Sequence, residues 1–209
     1  ETDRQAHWRH PGTALHYARA AVQVGLWASE RRLIEECWRP DANLLELGCG
    51  AGRVGLGLLR LGYAKTTITD FSPTMVDMAK GVLAEANESW SAHVEVADAC
   101  ALPYADQTFD GVLFAFNGLM CMRGKADRDR ALPEIRRVLK PGGLFLFTAN
   151  DRAAGEHRDA RAHARDCRNV GNRSSTCHGA DGSASAVLVQ PAGCRTHAFM
   201  SVFGAVSGL

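Results

Sequence analysis

The stretch Leu44-Leu-Glu-Leu-Gly-Cys-Gly-Ala-Gly-Arg53 decides the fold of this 209-residue chain. Its short apolar run indicates a buried strand, and the three glycines that follow indicate a tight turn that opens a helix. Glycine tolerates positive φ and carries no Cβ, so backbone N–H groups in such a turn can approach a ligand closely. The helix N-terminus adds a partial positive charge beside them. The stretch therefore predicts a ligand site where a strand ends.

Strands and helices alternate on both sides of this turn. We expect Ser72 to be the N-cap of one helix, with Pro73 at its first position, and Pro133 to kink or restart a later one. Alternation at this pace predicts right-handed βαβ units, hence an α/β fold: a doubly wound, Rossmann-like, mostly parallel sheet with helices on both faces. The predicted strands are 43–47, 65–69, 93–97, 109–116 and 144–148, and the predicted helices are 13–37, one closing at Gly62, one opening at Ser72, and 128–139.

Composition narrows the function classes. The chain is 46% hydrophobic and 22% charged, with a formal net charge of +1, so it lacks the basic excess typical of nucleic-acid surfaces. No apolar run approaches the roughly 18 residues that span a bilayer, and the polar N-terminus has no signal-peptide core. Seven cysteines without a Cys-x-x-Cys pair favour reduced thiols. We expect a cytoplasmic protein that binds neither nucleic acid nor membranes.

The glycine spacing separates two cofactor classes. The dinucleotide fingerprint G-x-G-x-x-G requires a glycine where this chain has Arg53. The spacing is instead G-x-G-x-G, and it follows the acidic Glu46. This segment resembles the first motif of the class I S-adenosylmethionine (SAM) dependent methyltransferases, of the type 11/25-like domain. The resemblance implies that SAM is the cofactor and that it is bound by Glu46, Gly48, Cys49, Gly50, Gly52 and Arg53.

Two later segments carry the same resemblance. In Thr69-Asp70-Phe71-Ser72, an acid ends the second strand, where it can accept ribose hydroxyls as in dinucleotide folds. The resemblance assigns Asp70 to the SAM ribose and Phe71 to the adenine ring. In the segment from Ala97 to Tyr104, it assigns Asp98 to the adenine amino group and the Ala99 N–H to a ring nitrogen. Plain alternatives are a helix-capping acid, a core aromatic residue and an ordinary turn.

The remaining resemblances concern the rim and the frame of the site. Glu134 to Gly143 matches a family turn that reverses the chain into the fifth strand, a fold signature that binds nothing by itself. Tyr17 and Arg19 lie on the N-terminal helix, where family members meet the methionine carboxylate, although a plain surface helix fits equally well. Met75 and Phe116 complete the predicted cofactor contacts.

The sequence motifs do not identify the methyl acceptor. Asn117-Gly118-Leu119 lacks the Pro-Pro-Tyr or Pro-Pro-Phe of adenine amino-methyltransferases, and no Pro-Cys nucleophile follows the fourth strand. Cys121 is interpreted as a small buried residue. His16 and His157 are conceivable bases, but we interpret each as an ordinary surface histidine, so no catalytic base is named. We expect a small-molecule acceptor. A SAM-binding domain with an incomplete acceptor side, or an NAD-dependent oxidoreductase, remains an alternative, and the oligomeric state stays open.

The chain divides into three predicted parts: an N-terminal helical lid over 1–42, a SAM-binding core over 43–150 and an atypical tail over 151–209. The tail contains no Lys, Ile, Trp or Tyr, and only 186–189 and 199–206 are strand-like. We expect it to be poorly ordered, with the C-terminal hairpin missing or degenerate, as a truncated or frame-shifted ending would be. The spacing of Cys177, His178, Cys194 and His197 fits no standard zinc pattern, so no metal is predicted.

Overall fold

The computed structural model describes residues 17–19, 21–86, 92–116, 118–122, 124–150, 173–178 and 184–191. Residues 17–19 and 21–23 are helical and precede the first full helix. The helices are α1 (Ala28–Cys37), α2 (Arg53–Arg60), α3 (Pro73–Ala86), α4 (Gly118–Cys121) and α5 (Gly124–Val138). The strands are β1 (Leu44–Glu46), β2 (Thr66–Asp70), β3 (His93–Val96), β4 (Phe109–Phe114), β5 (Leu139–Asn150), β6 (Arg173–His178) and β7 (Ala184–Pro191).

The strands form one sheet in the order β3-β2-β1-β4-β5-β7-β6. The first five run parallel, whereas β7 is antiparallel to β5 and β6 is antiparallel to β7. The doubly wound, Rossmann-like prediction is therefore confirmed. The strand order reverses between β1 and β4, and in such sheets this switch point opens a ligand crevice at the carboxyl ends of the strands.

The central strands are buried on both faces, as their continuous apolar sequence requires. Alternate residues point to opposite sides of the sheet because the side-chain period of a strand is two. Leu44 packs with Leu113 and Leu146 on the face of α1 and α2. Leu45 packs on the other face with Phe145 and with the residues of α5. Both leucines are fully buried, which fixes the register of β1 and with it the position of the glycine turn.

The prediction of one continuous helix over 13–37 is wrong, because the helix is interrupted. The described part breaks around Gly25, whose φ of +62° is left-handed, and α1 starts only at Ala28. The Glu30 carboxylate accepts the Trp27 N–H at 3.0 Å and so caps the new helix. Residues 13–16 lie outside the described residues.

Two proline-containing segments are continuous elements in the structure. α5 runs through Pro133 without the restart that was one of the two predicted outcomes. The carbonyl that loses its intrahelical donor belongs to Asp129, which is exposed and can be hydrated. The predicted Pro141-Gly-Gly turn lies within β5 as a bulge, because Phe109 pairs with Leu139 whereas Gly111 already pairs with Leu144.

The hairpin that the sequence suggested to be missing or degenerate is present as β6 and β7, so this expectation is corrected. β7 pairs with β5 from Leu144 to Asn150 and covers an edge that would otherwise stay open. β7 contains the strand-like run 186–189. β6 reads Arg-Ser-Ser-Thr-Cys-His, a polar sequence that is tolerated at the outermost position of a sheet and gives no strand signal. The strand-like run 199–206 lies outside the described residues.

Within the part of the chain that the structure describes, no helix has both the length and the apolar character needed to cross a membrane.

Candidate active site

A cavity of about 590 Å³ opens where the strand order reverses. Its walls come from the segments that follow β1, β2, β3 and β4, together with the N-terminal helical residues. Most of the predicted cofactor contacts lie on it, and only Arg19, which is exposed, and Gly52 do not. The predicted residues that line it are Tyr17, Glu46, Gly48, Cys49, Gly50, Arg53, Asp70, Phe71, Met75, Asp98, Ala99 and Phe116.

The glycine turn has the backbone that its sequence predicts. Gly48, Gly50 and Gly52 have φ values of +62°, +55° and +87°, in the left-handed region that side chains rarely adopt. A Cβ at Gly48 would lie 2.7 Å from the Phe114 ring, so this position also requires the absence of a side chain. Gly52 plays a different part: it is the N-cap of α2, and a Cβ there would lie 3.2 Å from Cβ of Ala79 on α3.

Asp70 connects the glycine turn to the end of β2. Its Oδ2 accepts the Gly50 N–H at 2.9 Å, and its Oδ1 accepts the Ser72 N–H at 2.8 Å. Burial raises the pKa of Asp70, while the hydrogen bonds from Ser72 and Gly50 oppose the shift. The carboxylate still has lone-pair capacity to accept a ligand hydroxyl. The hydroxyl of Ser72, predicted as an N-cap, is buried without a hydrogen-bond partner, so that capping bond is not formed.

Glu46 is the buried acid of the site. Glu46 is among the residues that line the cavity although it is only 2% exposed, and its Oε2 has no hydrogen-bond partner. Burial raises the pKa of Glu46 to about 8, and the nearby Arg53 opposes that shift. Gly55 leaves the space that the carboxylate occupies, since a Cβ there would lie 2.8 Å from Oε2. A cationic group in the cavity would supply the missing partner.

The segment after β3 forms the opposite wall. Asp98 is exposed, and its Oδ1 accepts the Cys100 N–H at 2.9 Å. Ala99 is buried beside it. Phe71, 40% exposed, and Met75, almost fully buried, contribute apolar surface to the same cavity.

The predicted fold signature on α5 supports this wall from behind. Glu134 Oε2 accepts the Leu102 N–H at 2.8 Å. Arg137 donates to the carbonyl of Leu102 at 2.9 Å and to that of Tyr104 at 2.7 Å. These bonds hold the loop that continues from Asp98. Asp110 accepts the Asn43 N–H and the Lys140 ammonium, both at 2.8 Å, and so ties β4 to the entry of β1.

Arg53 is bound to the N-terminal segment. Its guanidinium forms two hydrogen bonds of 2.7 Å to the Glu30 carboxylate and a third of 2.7 Å to the Gly25 carbonyl. Both charged residues are more than nine-tenths buried. The guanidinium carbon also lies 4.9 Å from the ring centre of Phe116 and 5.4 Å from that of Trp27. Sequence reasoning placed Arg53 at the cofactor but did not identify Glu30.

Tyr17 closes the cavity over the glycine turn. Its Cδ1 would lie 3.6 Å from a Cβ at Gly50. Burial raises the pKa of Tyr17, and the neighbouring Cys121 and Asp70 add to the shift.

Several lining residues carry no sequence motif. They include Val24, Cys121, Met122, Asp127 and Arg130. Cys121 is exposed rather than buried, so its interpretation as a core residue is wrong. The available signal was its position soon after β4, at the carboxyl edge of the sheet.

Five positions considered in the sequence analysis lie outside the described residues: His16, Asn117, His157, Cys194 and His197. Cys177 and His178 are on β6. In the ranges that the structure does describe, no three His, Cys, Asp or Glu side chains come together as a metal site would require.

The sheet order, the glycine turn and the acids after β1, β2 and β3 define a class I SAM-dependent methyltransferase domain. Residues 44–143 match a family model described as a methyltransferase domain.

Individual proteins agree with this assignment. The chain is 39% identical over 108 residues to the ubiquinone/menaquinone biosynthesis C-methyltransferase UbiE of Acidiphilium cryptum, covering 52% of this chain and 42% of that protein. It is 34% identical over 117 residues to the demethylmenaquinone methyltransferase of Leptospira interrogans, covering 55% and 45%. The match thus spans less than half of either relative. A SAM-dependent methyltransferase structure from Aquifex aeolicus shares the fold, with a TM-score of 0.59, 17% identity, and coverage of 86% of this chain and 98% of that chain.

Proposed function

We propose that this chain binds SAM in the cavity at the switch point of the sheet and transfers its methyl group to a small-molecule acceptor. The observation that carries the proposal is the convergence of three acids on one cavity beside the glycine turn. Asp70 fixes that turn, Asp98 faces it from the next strand, and Glu46 offers a buried oxygen without a partner.

The residues present fit this cofactor group by group. The cavity beside Gly50 admits the methionine part, and Glu46 becomes a negative partner for its ammonium group when binding of that cation displaces the carboxyl proton. Asp70 has lone pairs left for the ribose hydroxyls. Asp98 and the Ala99 N–H are assigned to the edge of the adenine ring. Bound SAM supplies a methyl group made electrophilic by its sulfonium.

The protein contributes position and exclusion of water. Holding two reactants in line makes a displacement effectively unimolecular, which is a large part of the barrier reduction available to such an enzyme. Tyr17 covers the glycine turn, and Phe116 borders the cavity where β4 ends. The acceptor approaches from this end of the cavity, because the opposite end is taken by the groups assigned to ribose and adenine.

The relatives support an acceptor class. One is named as a C-methyltransferase of ubiquinone/menaquinone biosynthesis and the other as a demethylmenaquinone methyltransferase. We infer an acceptor that presents a nucleophilic ring carbon. Transfer would form a carbon–carbon bond, break the sulfur–methyl bond to leave S-adenosylhomocysteine, and release one proton from the acceptor carbon to water. A binding domain with little turnover is the alternative that the experiment must separate.

Calorimetric titration tests the cofactor. We expect SAM and S-adenosylhomocysteine to bind and NAD not to bind. Replacing Asp70 with Ala should weaken SAM binding by about tenfold or more, because the ribose partner and the anchor of the glycine turn are lost together. Asp77→Ala, an exposed acid on α3 outside the cavity, is the matched control and should bind as the unaltered chain does.

Turnover is measured separately as release of S-adenosylhomocysteine with phenolic and hydroquinone acceptors. Folded protein that does not bind SAM would refute the proposal. Binding without release on any acceptor would favour the binding-domain alternative.

A further inference from the structure

Phe116 has a backbone conformation that its side chain does not favour. Its φ is +53°, and among the described non-glycine residues only Gln107 shares a positive φ. A bulky residue is seldom found in this region unless its surroundings hold it there, and such residues cluster at binding and catalytic sites. Phe116 remains 42% exposed and lines the cavity.

Two neighbours fix the Phe116 ring. The guanidinium carbon of Arg53 lies 4.9 Å from the ring centre. The Trp27 ring meets it at an interplanar angle of 64°, with centroids 5.5 Å apart, in an edge-on arrangement. Arg53 is itself held by Glu30 through two hydrogen bonds of 2.7 Å. The ring is therefore held in place before any ligand arrives.

The Arg53 guanidinium beside the Phe116 ring also affects which partners the ring prefers. A guanidinium next to a ring interacts with its π electrons and draws them toward itself. The part of the ring that faces the cavity then prefers a partner with electron density to share. The Glu30 carboxylate neutralises Arg53, so the pair presents no net charge that would attract an anionic acceptor. Val24, Cys121 and Met122 add uncharged side chains to the same cavity lining.

We propose that Phe116, fixed by Arg53 and Trp27, is the platform on which the acceptor packs, and that it selects a planar, uncharged, electron-rich aromatic ring of the phenol or naphthol class. The inference rests on the proposed function, because it assigns the acceptor side of the same cavity. Phe116 touches the acceptor. Arg53 and Trp27 act through Phe116 and are positioning residues.

The test uses the full chain saturated with S-adenosylhomocysteine, so that no methyl transfer occurs. Two probes are titrated by calorimetry: 1-naphthol, which is planar and aromatic, and decahydro-1-naphthol, which keeps the hydroxyl on a saturated frame. We expect 1-naphthol to bind about tenfold more tightly, as aromatic pairing provides. Phe116→Leu, titrated at its own saturating S-adenosylhomocysteine concentration, should lose this preference.

Two further variants guard the interpretation. Phe116→Tyr keeps an aromatic ring and should keep the preference for 1-naphthol over decahydro-1-naphthol. If Phe116 had only a structural role, no such dependence on the ring would be expected. Val22→Ala alters an exposed side chain outside the cavity lining and should also keep it. Equal affinity for the two probes, or a preference that persists in Phe116→Leu, would overturn the acceptor assignment alone. Failure of folded, unaltered protein to bind S-adenosylhomocysteine would instead overturn the proposed function and this inference with it.

Discussion

The two ends of the cavity are encoded in different ways. The proposed cofactor end consists of short segments that directly follow β1, β2 and β3: the glycine turn, Asp70 and Asp98. The proposed acceptor end contains Val24 and Phe116, which come from distant segments with no common motif. Groups that bind an invariant ligand can be encoded locally at strand ends. The shape of the acceptor end depends on contacts between segments that only the folded chain brings together.

Arg53 joins the two ends. It belongs to the motif that carries the glycine turn, yet its guanidinium binds Glu30 and contacts Phe116. One side chain thus fixes the start of α2, the N-terminal segment and the proposed acceptor platform. Changes to this pair test whether the ends are coupled, and changes elsewhere test each end alone.

Breaking the buried ion pair should have the largest effect. Arg53→Met leaves the Glu30 carboxylate buried without its partner, and we expect the free energy of unfolding to fall by about 3–5 kcal/mol. Urea unfolding followed by circular dichroism measures the change. The double variant with Glu30→Leu should recover much of the loss, since no charge then remains buried. If Arg53→Met lowers the free energy of unfolding by less than about 1 kcal/mol, the Arg53–Glu30 pair does not hold these segments together.

Glu46 gives the cofactor end its pH dependence. Its pKa is raised by burial to about 8, so the folded protein holds a proton that the unfolded chain has already released above its ordinary pKa of 4.5. The stabilisation is therefore complete below about pH 4.5 and is lost as the pH rises toward 8. The slope reaches about −1.4 kcal/mol per pH unit.

Glu46→Gln removes this titration. The free energy of unfolding of Glu46→Gln, relative to the unaltered chain, should rise by on the order of 3 kcal/mol between pH 5 and pH 8. Asp70, whose pKa is also raised by burial, is present in both proteins and largely cancels in this difference. Denaturant unfolding at several pH values measures it. A difference that does not change with pH would mean that Glu46 is ionised in the folded protein throughout this range.

The glycine turn should respond to a single methyl group. Gly48→Ala places a Cβ 2.7 Å from the Phe114 ring at a φ of +62°, and we expect a loss of about 1–3 kcal/mol together with weaker SAM binding. Gly81→Ala is the matched control, because nothing lies within 4 Å of its Cβ and its position is inside α3. That change should stabilise the protein by about 0.5–1 kcal/mol and leave SAM binding unchanged. Thermal unfolding measures the change in stability of each variant, and calorimetric titration measures its SAM binding.

The same contrast explains what could be predicted from the sequence. The parallel sheet, the glycine turn and the acids after β2 and β3 are local patterns of apolar runs, glycines and strand-end residues. The break at Gly25 was missed because apolar spacing continues at a helical period across it. β6 was missed because an outermost strand needs no apolar face. The partner of Arg53 could not be predicted because the pair spans 23 positions and two helices.

The smallest effect is expected for an ion pair on the same helix as Glu30. On α1, Nε of Arg31 lies 3.1 Å from Oε1 of Glu35, but the two side chains are 60% and 47% exposed. Water screens such a pair, and holding two long side chains together opposes the gain, so Arg31→Ala should change the free energy of unfolding by only about 0.3–0.5 kcal/mol. Because each pair joins an arginine to a glutamate of α1, the ratio of the two losses isolates burial as the cause. If Arg31→Ala destabilised as strongly as Arg53→Met, the stability of α1 itself would govern both results, and the proposed coupling through Arg53 would have to be abandoned.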